Sequence, residues 1–253
     1  RPEVQLTSNN TTLTLAGPNQ TLMGVALAQG YILVSGSASG ATVSGNLVGF
    51  TATGASSSGG AIHGITFAGP SARITGNYVA VDNSGIRGDN PATGTVIEYN
   101  EVTRPATGHS NTFDGILIIG AASGITVRNN LVRDQSGAGI EIGFGSGSMS
   151  AVVIENNTVR NNGFSSGTMA SAEPVGIAAY GYSGNGVTIR RNRIENNAGP
   201  GVLVMAANAT ISQNRFSANG GLAIDLDPDT RDPNSLGTPN GPTLNDSGDT
   251  DTG

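Results

Sequence analysis

One pattern recurs seven times along the chain and limits what it can fold into. A branched apolar residue is followed by two variable residues, an asparagine, one more variable residue and a second apolar residue. The copies are Val43/Asn46/Val48, Ile74/Asn77/Val79, Ile97/Asn100/Val102, Val127/Asn130/Val132, Ile154/Asn157/Val159, Ile189/Asn192/Ile194 and Ile211/Asn214/Phe216. Successive asparagines lie 31, 23, 30, 27, 35 and 22 residues apart. A unit of this length cannot bury an apolar face alone and has to stack on its neighbours. The motif holds while the spacing varies, so loops of different length hang from a fixed rung.

A second kind of apolar segment alternates with the motif: Gly64–Phe67, Gly115–Ile119, Gly139–Ile142, Gly176–Ala179, Gly201–Val204 and Leu222–Leu226. These segments are short, rich in branched residues and bounded by Gly, Ser or Asn, which is how strands read. Alternation turns Ile, Val and Leu inward and the residues between them outward. A rung is therefore three short strands with an Asn bend between the second and third. Crossovers between parallel strands are right-handed. The expectation is an all-β, single-domain, right-handed parallel β-helix of roughly eight to ten rungs.

Asn tolerates left-handed backbone, and its amide can bond the same residue one rung away. Asn46, Asn77, Asn100, Asn130, Asn157, Asn192 and Asn214 are thus predicted to form a stacked structural ladder, with a second through Asn162, Asn197 and Asn219. The position after the motif's first apolar residue reads Glu98, Arg128, Glu155, Arg190. It predicts an exposed column of alternating charge, with neighbours about 4.8 Å apart.

Composition excludes several classes. All 12 basic residues are Arg and the net charge is −6, so the basic footprint of a nucleic-acid binder is missing. Without cysteine there is no disulfide or thiolate chemistry. No apolar run is long enough for a membrane-spanning helix. Residues 1–39 read as capping strands and first rungs, with Val4–Leu15 covering an otherwise sticky edge. Residues 40–226 read as the β-helix core and 227–253 as an extended acidic, Pro/Gly-rich tail.

From about residue 40 onward the rungs resemble the parallel β-helix repeats of bacterial secreted and cell-surface proteins. The last rung, Gly221–Leu226, and the Asn245–Gly253 stretch resemble the terminal signature of that group, where more chain usually follows. The resemblance implies an extracellular or cell-surface location and a fragment or processed product. It implies no single activity, because such repeats occur in polysaccharide lyases, epimerases, hydrolases and adhesins alike.

Two sets of residues carry candidate chemistry. Asp225, Asp227, Asp229 and Asp232, with Asp246, Asp249 and Asp251, supply closely spaced oxygen ligands of the kind calcium takes. The outward position after Gly-Ile reads Thr66, Arg87, Leu117, Glu141, Ala178, Leu203, with Asp114 just before its strand and His109 in the preceding loop. Arg87, Asp114 and Glu141 are the candidate catalytic set, two carboxylates for acid and base work and an Arg for charge neutralisation. The competing structural reading has Asp114 capping a turn and Glu141 paired with an Arg. The loop 162–174 with Tyr180 and Tyr182 is a candidate aromatic patch.

The first functional expectation is a non-enzymatic structural or adhesive module of a surface assembly or filament, self-associating end to end. The alternative is a polysaccharide-active enzyme, a lyase, hydrolase or epimerase, working in a groove of the β-helix. Ice binding fares worse, because regular Thr-x-Thr columns are missing.

Overall fold

The computed structural model describes residues 4–6, 11–55, 63–89, 93–105, 113–144, 148–164, 174–180, 186–205 and 208–226. Within them the chain forms the expected right-handed parallel β-helix. One coil shows the plan: strand Ile116–Ile119, strand Thr126–Arg128, the Asn130 bend, then strand Leu131–Arg133. Repetition gives three long parallel sheets among the described residues, beside a two-stranded one that pairs Ala122–Ser123 with Met149–Ser150. Sheet A has nine strands, from Val4–Leu6 to Arg215–Ser217; sheet B has nine, from Thr11–Leu15 to Ile224–Leu226; sheet C has eight, from Thr21–Met23 to Thr210–Ser212. Val4–Leu6 pairs in register with Val25–Leu27, and Thr11–Leu15 with Gly30–Val34. These segments are the first strands of sheets A and B.

Inward residues stack on their equivalents one coil away. Val48, Val79, Val102, Val132, Val159 and Ile194 form one column and Val43, Ile74, Ile97, Val127, Ile154 and Ile189 another, all fully buried. Each such side chain contributes about 1.5–3 kcal/mol by leaving water. Column volume is balanced locally: a Cβ on Gly88 would lie 2.7 Å from the Phe67 ring, so the large residue of one coil depends on the absent side chain of the next.

The glycine opening each sheet B strand is a matter of space. A Cβ on Gly64, Gly85, Gly115, Gly139, Gly176 or Gly201 would stand 2.4–2.8 Å from the carbonyl oxygen of the equivalent residue in the next coil, and as close to an inward side chain such as Val132 or Ile194. Only Gly lets consecutive coils sit this near.

The asparagine ladder is continuous. Asn46 bonds Asn77, and the chain runs through Asn100, Asn130, Asn157 and Asn192 to Asn214, each Nδ2 donating to the next Oδ1 at 2.9–3.0 Å. Each Oδ1 also accepts the backbone N–H of the preceding Asn, and Nδ2 donates to a backbone carbonyl of the coil before. Buried amides are thereby satisfied. The same slot in the first coil holds Val25, whose N–H donates to Asn46 Oδ1. A second, shorter ladder runs through Gln135, Asn162, Asn197 and Asn219.

The left-handed residue is not the ladder Asn but the one before it. Gly45, Gly76, Tyr99, Asn129, Asn156, Arg191 and Gln213 all have φ between 55° and 63°. The turn that presents the amide inward is made one position earlier, leaving the Asn free to bond. Gly76→Ala is expected to cost about 1 kcal/mol and Tyr99→Gly to gain about 0.5–1 kcal/mol, because a Cβ is penalised at such φ. No atom other than Gly45 N lies within 4 Å of the new Cβ at residue 76, so denaturant unfolding of the pair isolates the backbone effect.

The charge column of sheet C is present in register but resolves into pairs. Arg128 Nε donates to Glu98 and Arg190 Nε to Glu155, both at 2.8 Å. Glu98 is not exposed: it is fully buried, held between Arg128 on one coil and Arg73 on the other. Two arginine stems roof the carboxylate, a cover that alternation alone does not reveal.

Candidate functional site

The outer face of sheet B carries the groove residues. Thr66, Arg87, Leu117, Glu141, Ala178, Leu203 and Asp225 follow one another in register. A second column, the residue before each strand-opening glycine, reads His63, Ser84, Asp114, Ala138, Val175, Pro200. The two columns divide the face. In the first coils they are polar. In the later coils Ala138, Val175, Ala178, Tyr180 and Leu203 pack into a small apolar cluster separate from the core. Tyr180 is buried there and is no exposed aromatic platform, while Tyr182 lies outside the described residues.

The three candidate catalytic residues fall into two groups. Asp114 and Glu141 meet: their side chains share a hydrogen bond, and Asp114 Oδ1 accepts the Ala138 N–H at 2.9 Å. A hydrogen bond between two carboxyls needs a proton on one of them. Burial pushes the Asp114 carboxyl up to about 6, against smaller downward pulls from Glu141 and the Ala138 N–H. Both residues are only 6% exposed. Gly137 leaves room for the pair, since a Cβ there would stand 2.6 Å from Asp114 Oδ1. Asp114 thus braces the turn of the next coil, and the partner of Glu141 is Asp114.

Arg87 stands two coils from Glu141, roughly 10 Å along the axis, with buried Leu117 between them. Its Nε and Nη2 clasp the Asp89 carboxylate at 2.9–3.0 Å, and Nη1 lies 3.3 Å from His63 Nε2. Burial and the Arg87 charge hold the His63 pKa below its usual value, with Asp89 opposing, so the ring is neutral at neutral pH. Accepting from Arg87 at Nε2 leaves the His63 proton on Nδ1. That nitrogen is buried and has no hydrogen-bond partner among the described residues, and the same holds for Thr66 Oγ1. His63 was not among the sequence candidates. Its signal is its slot: it precedes Gly64 as Asp114 precedes Gly115.

The proposed calcium ligands are mostly out of view: Asp227, Asp229, Asp232, Asp246, Asp249 and Asp251 lie outside the described residues, as does His109. Asp225 is described; it is buried and engaged with a neighbour. Among the described residues no three His, Asp or Glu side chains gather around a point where a metal ion would sit. No helix there is long and apolar enough to cross a membrane.

A family model described as a right-handed β-helix region matches residues 29–184 and 63–236. The chain belongs to this right-handed β-helix family. No curated protein matches it in sequence. Similar solved structures include PfbA, a surface adhesin of Streptococcus pneumoniae, with a TM-score of 0.60 at 13% identity over 86% of this chain and 60% of that one. The Dettilon tailspike protein gives 0.55 at 13% over 88% and 53%, and the pectate lyase Pel9A 0.53 at 15% over 91% and 70%. At these identities the likeness is one of fold. The β-helix of this chain spans 53% and 60% of the tailspike and adhesin chains.

Proposed function

We propose that this chain is a polysaccharide-contacting β-helix module of a secreted or cell-surface protein. In this reading it binds through the polar half of the outer face of sheet B without cutting the chain it holds. The observation that carries the reading is that, among the described residues, buried His63 Nδ1 and Thr66 Oγ1 have no hydrogen-bond partner, beside the Arg87–Asp89 pair. Buried polar atoms are normally satisfied, and a sugar hydroxyl both accepts and donates. A pectate lyase and an alginate epimerase among similar folds support the same class of partner, and a surface adhesin among them supports the location.

End-to-end assembly is left out of this reading. Val4 lies over Val25 in the ladder slot of the outermost strand of sheet A, so a second copy stacked there would offer no side-chain oxygen to the amide of Asn214.

Isothermal titration against neutral and uronate oligosaccharides tests the proposal. At least one class is expected to bind, with affinity falling about tenfold or more in His63→Leu and in Thr66→Val, the range for losing a hydrogen bond in a desolvated site. Unchanged affinity in both variants, or no binding by the parent, would overturn it. A second reading rests on Asp114, whose raised pKa keeps a proton available near neutrality. Release of new sugar ends by the parent, lost in Glu141→Gln with binding retained, would select turnover over simple binding.

A further inference from the structure

Sheet A breaks a rule that sheet C keeps. On sheet C, Glu98 stands beside Arg128 and Glu155 beside Arg190, opposite charges one coil apart. On the outer side of sheet A, Arg133 stands in register with Arg160, and Arg193 with Arg215. Like charges directly opposite on neighbouring strands destabilise a sheet.

The available carboxylates neutralise one arginine of each pair and leave the other. Glu101 and Asp134 both go to Arg133, at 2.7 and 2.5 Å. Glu195, the register neighbour of Arg160, is taken by Arg193 at 2.7 Å. Among the described residues Arg160 and Arg215 have no ion-pair partner, and Arg160 Nε is buried without an acceptor. Arg193 is 58% exposed and Arg215 is exposed too. A chain of net charge −6 has thus gathered Arg160, Arg193 and Arg215 on one face over consecutive coils about 4.8 Å apart, and of these Arg160 and Arg215 carry no counter-charge among the described residues.

We infer that this face, centred on Arg160, Arg193 and Arg215, is a second binding surface, for an anionic polysaccharide whose repeating oxyanions meet the arginines coil by coil. The guanidinium fork suits carboxylate and sulfate alike. Repetition along the helix axis favours a polymer over a single small anion. The face is distinct from the His63–Thr66–Arg87 surface of sheet B, and the inference stands without that reading.

The test is affinity electrophoresis of the full chain through gels containing polygalacturonate, dextran sulfate or neutral dextran. Retardation by one or both polyanions and none by dextran is expected, and the two polyanion gels separate carboxylate from sulfate recognition. Retardation is expected to weaken with added salt and to drop about tenfold or more in Arg160→Gln/Arg215→Gln. Arg128→Gln, on sheet C, is expected to behave as the parent. Thermal melts provide the control: relieving the stack leaves Tm of the double variant unchanged or higher. Equal retardation of parent and double variant, or no retardation of the parent, would each overturn the inference. So would a lowered Tm with binding retained, which would make Arg160 a purely structural residue.

Discussion

Alanine at Asn130 is expected to lower the unfolding free energy by about 3–4 kcal/mol. The side chain makes four hydrogen bonds in the core of the ladder: its Oδ1 accepts from the Asn100 N–H and Nδ2, and its Nδ2 donates to Ile97 O and Asn157 Oδ1. Removing it strands the Asn100 N–H in a dry interior, where an unmade bond costs more than a made one returns. Asn130→Asp is expected to be at least as damaging near neutral pH, since a second carboxylate oxygen would face two acceptors. Asn214→Ala, at the end of the ladder where burial is partial, is expected to cost only about 1–2 kcal/mol. Urea unfolding of the three variants measures the gradient. Equal costs at residues 130 and 214 would mean that the ladder adds little beyond local turn geometry.

The second large effect is a pH dependence in the less usual direction. Asp114 holds its proton up to about pH 6 in the fold, against an ordinary value of 3.8. The folded state therefore binds this proton more tightly than the unfolded chain does. Its stabilising contribution is fully present below pH 3.8 and is lost as pH rises to about 6, by about 3 kcal/mol in all. Asp114→Asn can still accept from the Ala138 N–H and bond Glu141, but has nothing to titrate. The difference in unfolding free energy, variant minus parent, should then grow by about that amount between pH 4 and pH 7, read from urea melts at each pH. A flat difference would show that Asp114 loses its proton as readily in the fold as in the unfolded chain.

Residues that act through periodicity were legible in the sequence. The Asn motif, the alternating Ile and Val positions and the Gly before each sheet B strand each repeat coil by coil, and repetition survives without knowledge of contacts. The rung plan and the register of the outer column from Thr66 to Leu203 are of this kind. Gln135 begins the second ladder unseen because it is a different residue in the Asn slot, and Val25 hides the first coil for the same reason. Exposure was harder. Alternation marks Glu98 and Glu141 as outward, yet one is roofed by arginines and the other pressed against Asp114. His63 meets Arg87 across 24 residues, a contact that exists only because a coil closes between them.

The ladder also has a direction, which bears on how such a chain is made. From Asn46 to Asn192 each Asn gives its backbone N–H and one Nδ2 hydrogen to the Asn of the coil that follows, while its other Nδ2 hydrogen goes to a carbonyl of the coil before and, from Asn77 on, its Oδ1 accepts from the Asn there. At any stage of synthesis the newest finished coil therefore presents open N–H groups toward the ribosome. The next Asn to emerge carries the oxygen that closes them. Only a donor is needed to start the series, and the backbone N–H of Val25 supplies it without an amide side chain. Growth from the N-terminal end meets a prepared surface at each step, whereas a coil arriving before its predecessor would find none.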